Sequence, residues 1–195
     1  SDAGQYTVKA RIAATTNYEA ATATTDFTIT KATLTASVTL DGWTYGETAA
    51  TPSVTGNTGN GTVTYTYKVK DADDTTYSET KPTDAGTYTV KASIAATTNY
   101  EAATTTTDFT IAQKSLGDGV APAPGIIVNV TKTGDNYTVS VKDNGSDLST
   151  DDYDVMEPGA EDNPMIWTIT GKRNYKGGAV VAHETITFWK TKETA

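Results

Sequence analysis

Apolar and polar residues alternate strictly along several stretches of the chain. Leu34, Ala36, Val38 and Leu40 are separated by Thr and Ser. Val63, Tyr65, Tyr67 and Val69 are separated by Thr and Lys, and Tyr88, Val90, Ala92 and Ile94 by Thr, Lys and Ser. Ile126, Val128 and Val130, then Tyr137, Val139 and Val141, repeat the pattern, and Phe109 and Ile111 end on it. A period of two places all the apolar side chains of a strand on one face. One apolar face and one Thr/Lys face describe antiparallel sheets with a core on one side and water on the other. Turn clusters separate the stretches: Asp41-Gly42, Gly56 to Gly61, Asp71 to Asp74, Gly134-Asp135 and Asp143-Asn144-Gly145. Asn144-Gly145 has the composition of a type I′ hairpin turn. Ala121-Pro122-Ala123-Pro124-Gly125 is excluded from a central strand, because Pro cannot donate to the ladder. No 3.6-residue period persists, so the expected fold class is all-β.

The chain also repeats itself. The segment from Asp2 to Thr30 and that from Asp84 to Ala112 are offset by 82 and differ at four of 29 positions. A weaker echo near the C-terminus puts Trp167 in the place of Tyr88, Asn174-Tyr175 in that of Asn99-Tyr100, and Phe188 in that of Phe109. A unit of this size suits a small β-sandwich better than a solenoid turn. The copied segment closes each unit, which frames 31–112 and 113–195 as repeats and 1–30 as the C-terminal part of a truncated one. Only Lys31-Ala32 and Gln113-Lys114 join the predicted strands at the junctions, too short for a flexible coil. Alone, residues 1–30 would leave Tyr6, Val8, Ile12, Phe27 and Ile29 uncovered. Their expected cover is a further segment of the protein or a second copy of the chain.

Asp84-Ala85-Gly86-Thr87-Tyr88, with its twin Asp2-Ala3-Gly4-Gln5-Tyr6, resembles the D-x-G-x-Y corner of immunoglobulin-type sandwiches. That resemblance implies a tyrosine hydroxyl turned back to the upstream backbone, with Val90 and Val8 where antibody domains carry a cysteine. The wider pattern is Gly42-Trp43-Thr44-Tyr45-Gly46-Glu47, then Asp84 to Val90, Asn99-Tyr100, and Asp108-Phe109-Thr110-Ile111. It is similar to bacterial immunoglobulin-like repeats of the MBG type. Thr168 to Tyr175 looks like a sister repeat, departing from it at Arg173, where that pattern has Gly, and in the insertion Gly178 to His183. The resemblance implies tandem immunoglobulin-like antiparallel β-sandwiches in a large bacterial surface or secreted protein. The expected structural residues are Asp84, Gly86, Tyr88, Val90, Phe109, Tyr6, Phe27, Trp167 and Phe188.

Composition narrows the function. A net charge of -9 argues against nucleic acid as a partner. No apolar run approaches a membrane span, and the first residues carry no leader pattern, so the chain reads as part of something longer. With no Cys there are no disulfides, zinc-thiolate sites or Cys nucleophiles. His183 has no nucleophile context around it and reads as incidental. Asp71/Asp73/Asp74, Asp151/Asp152/Asp154 and Glu161-Asp162 lack the order of a calcium loop and read as solvated turns. Trp43 and Tyr45 offer either a sugar-stacking platform or an end cap, and parity points Trp189 outward. The sequons at Asn60, Asn129, Asn136 and Asn144 follow from Thr richness, and Lys9, Lys91, Gln5 and Gln113 are poorly placed for buried covalent crosslinks. No catalytic, cofactor or metal site is therefore expected. The expectation is an extracellular, non-catalytic spacer, adhesin-like, whose partners are neighbouring repeats and, through residues 1–30, a second copy. The rivals are a module gripping a glycan or host protein, and an accessory domain of a secreted enzyme.

Overall fold

The computed structural model describes residues 1–133, 136–159 and 165–183. Its strands are β1 (Gly4–Ile12), β2 (Ala21–Ile29), β3 (Ser37–Thr39), β4 (Trp43–Thr44), β5 (Ser53–Thr55), β6 (Val63–Val69), β7 (Gly86–Ile94) and β8 (Ala103–Ala112). They continue as β9 (Lys114–Asp118), β10 (Ile126–Thr133), β11 (Asn136–Asp143), β12 (Ser146–Asp147), β13 (Tyr153–Met156), β14 (Met165–Gly171) and β15 (Tyr175–His183). Among the described residues the only helix is a 3-10 turn, Asp74–Thr76. The protein is all-β, as the β-branched and aromatic alternation requires. It divides into two compact units, one of residues 1–41, 50–82 and 88–109, the other of 42–49, 83–87 and 110–195.

In the first unit β1 and β2 pair antiparallel along their whole length, Gly4↔Ile29 to Ile12↔Ala21, and form a sheet of their own. β3 pairs with β5, and β6 with β7 from Val63↔Ile94 to Val69↔Tyr88. Val38, Leu40, Tyr67, Val90, Ala92, Ile94 and Phe109 are buried. Phe109 stacks on Tyr88 at 5.7 Å and meets Tyr67 edge-on at 6.2 Å. Between residues 33 and 40 burial alternates as predicted, but the ladder covers only Ser37–Thr39. Pairing ends at Thr55 because Gly56 turns with φ 76°, its Cα so close to the Thr35 carbonyl that a Cβ would lie 2.1 Å from it. Val69, at the end of β6, is exposed rather than inward.

Tyr6 and Phe27 are uncovered, as expected for residues 1–30 without a further segment or second copy against them. They share one face and stack at 5.6 Å, yet remain 37% and 47% exposed. Among the described residues β1 and β2 pair only with each other.

In the second unit the sheets are β10-β11-β12 and β13-β14-β15-β9. Leu116, Ile126, Val141, Tyr153, Ile169 and Tyr175 form its core. The type I′ turn is present: Asn144 and Gly145 have φ 46° and 88°, and Asp143 pairs with Ser146 across them. The order of the remaining sheet is β4-β8-β7-β6. The expectation of purely antiparallel pairing is corrected at two places, where β4 runs parallel to the end of β8 and β9 parallel to β15. Both join segments far apart in sequence, so a crossover rather than a hairpin connects them.

Candidate functional site

The corner predicted from Asp-x-Gly-x-Tyr is formed at its first copy. The Tyr6 hydroxyl donates to the Asp2 carbonyl at 2.7 Å, four residues upstream. Gly4 does not carry this geometry, since an added Cβ would make only ordinary contact with the Tyr6 ring, at 3.6 Å. In the second copy Tyr88 stacks on Phe109, and Val90 behind it is fully buried.

Each unit then clamps one of these corners with an asparagine. In the first unit Asn99 Oδ1 accepts the Ala3 N–H at 2.7 Å, while its Nδ2 donates to Asp2 Oδ1 at 2.9 Å. In the second unit Asn174 Oδ1 accepts the Ala85 N–H at 2.7 Å, and its Nδ2 donates to Asp84 Oδ1 at 3.0 Å. The same four atoms meet in the same way both times. The pattern needs a side chain with an acceptor and a donor side by side, which an amide has and a carboxylate lacks. It also fixes the amide's orientation: a flip would set carbonyl against carboxylate and NH₂ against N–H. Asn174 is 6% exposed, so its bonds are made away from water.

The loops carrying the two asparagines are tied to the junctions. Ala32 N–H donates to the Asn99 carbonyl and Glu101 N–H to the Ala32 carbonyl, at 2.8 and 2.9 Å. Lys114 N–H donates to the Asn174 carbonyl at 2.9 Å. The junction side chains reach the same loops: Lys31 Nζ donates to Thr97 O at 2.6 Å, and Gln113 Nε2 to Arg173 O at 2.8 Å. A third such loop surrounds Asn17, closed by Thr15 N–H to Tyr18 O at 2.9 Å as Thr97 N–H closes on Tyr100 O at 3.0 Å. There Tyr18 is 79% exposed, and among the described residues the Asn17 amide holds no corner.

At Arg173, the departure noted in the sequence, the backbone is one that suits glycine. It sits at φ 52°, in the left-handed region that glycine occupies without steric cost.

Comparison with protein-family models, with curated proteins and with solved structures finds no match.

The remaining candidates have structural partners. Tyr45 meets Tyr175 edge-on at 5.4 Å and packs on the second unit's core, so its ring is not free for a sugar; Trp43 lies half-buried in β4. Lys114 Nζ reaches both oxygens of Asp143 at 2.6 and 2.7 Å, and the Tyr175 hydroxyl donates to the same carboxylate at 3.0 Å. Burial, then that hydrogen bond to Asp143, raises the Tyr175 phenol far above its ordinary value. Trp167 is buried, with Tyr137 5.0 Å from it.

The acidic turns are used locally. Asp73 accepts from the Thr75 N–H and hydroxyl, which holds its carboxyl below the usual range. Asp74 pairs with Lys68, Asp154 with Lys172, and Asp151 with Arg173. Among the described residues no three His, Cys, Asp or Glu side chains are grouped to hold a metal ion. Lys91 lies over the Tyr77 ring at 3.7 Å. His183 ends β15 opposite Met165. Phe188, Trp189, Glu161-Asp162 and Gly134-Asp135 lie outside the described residues.

The hollow beside the aromatic pair is small. Asn136, Tyr137, Glu157, Pro158, Gly159, Met165 and Trp167 line about 220 Å³, less than the roughly 300 Å³ at which ligand sites begin. No helix among the described residues is long and apolar enough to cross a membrane.

Proposed function

We propose that the chain is a non-catalytic spacer: tandem immunoglobulin-like β-sandwich repeats in a bacterial cell-surface or secreted protein. The observation that carries the reading is the duplicated clamp. An Asp-Ala corner from one copy of the 29-residue segment, or from its twin, is gripped by an asparagine far downstream with the same atoms each time. A device that recurs with each copy of the corner and joins backbone to side chain is suited to registering repeats, not to turning over a substrate. The acidic surface keeps such an array soluble.

A second reading, a module that binds a glycan or host protein, is favoured by the hollow next to Tyr137 and Trp167. Glycan-array and matrix-protein binding by the full chain separates the two. The spacer reading expects no saturable binding. Saturable micromolar binding that Glu157→Ala abolishes would replace it with the second.

A further inference from the structure

The hairpin β1–β2 has two unfilled surfaces, and the same protein shows what fills them. β7 is the sequence twin of β1, and β6 pairs along it for seven residues, from Val69↔Tyr88 to Val63↔Ile94. No strand among the described residues takes that edge of β1. The face differs likewise. Val90, Ile94 and Phe109 are 0%, 2% and 4% exposed, whereas their counterparts Val8, Ile12 and Phe27 are 51%, 67% and 47% exposed. Residues 31–82 supply the difference: β6 at the edge, with its buried Tyr67 edge-on to Phe109, and the buried Val38 and Leu40.

We infer that the β1–β2 hairpin is a docking surface for a strand set of the same kind as residues 31–82. The near-identity of the two hairpins makes the edge and the face complementary to that set, strand addition giving the edge its hydrogen bonds. A second copy is a poorer occupant, because its own residues 31–82 already lie on its own β7–β8. This inference rests on the repeat alone; its failure leaves the spacer role standing.

The test joins a copy of residues 31–82 directly ahead of Ser1 of the full chain and follows tryptic cleavage after Arg11. Arg11 lies in exposed β1, and its twin Ser93 offers no cleavage site. The expected result is a fall of about 100-fold in the cleavage rate, since cutting then requires the completed sheet to open. A second fusion carrying Val38→Asp and Leu40→Asp in the added copy controls for tethering and should cleave as fast as the unfused chain. Equal rates in the unfused chain and the first fusion, or equal protection by both fusions, would overturn the inference. So would an unfused chain that sediments as a dimer with Arg11 already protected, because a second copy would then be the occupant.

Discussion

Residues 1–30 and 84–112 are nearly one sequence in two settings. Both make a hairpin arm of nine residues starting at the Asp-Ala-Gly corner, both stack a tyrosine on a phenylalanine, and both tie a threonine hydroxyl to an aspartate across the strands. Only one has its apolar face buried. Strand, parity and corner are therefore local properties of the segment. Burial is a property of what packs against it, here residues 31–82. The largest part of stability follows burial and not sequence.

Four expected outcomes sharpen or break that contrast. Phe109→Ala should cost about 3–5 kcal/mol in denaturant unfolding, because it empties a packed core. Phe27→Ala should stay near the roughly 0.5 kcal/mol of surface changes. Similar costs would show the hairpin face to be covered in solution. Next, Asn174→Ala should lose about 2 kcal/mol, leaving the Ala85 N–H and the Asp84 carboxylate without their partner. Asn99→Ala should lose less, being only half-buried, and Asn17→Ala should be close to neutral in the same measurement.

Smaller still, Arg173→Gly should raise stability by about 1 kcal/mol, by relieving the left-handed backbone. The exposed 3.6 Å contact of Arg173 to Asp151 that is lost is worth little. The equivalent loops carry Thr16 and Thr98 outside that region, so Thr98→Gly should destabilise instead.

The smallest effect concerns pH. Lys70, then the Thr89 hydroxyl, holds the Asp108 carboxyl below its ordinary value. The native state thus binds this proton less readily than the unfolded one. Its contribution is present above the unfolded pKa of about 3.9 and is lost as pH falls through the lower folded value. Asp108→Asn should lower the unfolding midpoint slightly at neutral pH and converge with the unaltered chain in acid, which flattens the acid limb of the profile.

What could be read from the chain was local. The alternation at 88–94 is matched by burial of Val90, Ala92 and Ile94, the Asn144-Gly145 turn is formed, and Tyr6 bonds back to Asp2 as the corner motif implied. What could not be read was long-range. Asn99 and Asn174 stood out only as an echo, because their partners lie 96 and 89 residues away. That echo, each time following an Asp-Ala corner in the preceding copy, was the one available signal. Tyr45 on Tyr175 is a contact of the same kind, set by packing that no period reveals. The exposure of Tyr6 and Phe27 was legible only through the frame of the repeats, because their alternation is identical to that of a buried hairpin.

Amide hydrogen exchange on the full, monomeric chain tests the dependence on cover most directly, since peptides marked by Gln5 and Arg11 are distinguishable from those marked by Thr87 and Ser93. If burial by residues 31–82 is what secures the segment, the amides of β7 exchange only near the global unfolding rate and those of β1 orders of magnitude faster. Equal protection of β1 and β7 would contradict the account, for the two sequences would then be stable in themselves and not through what packs against them.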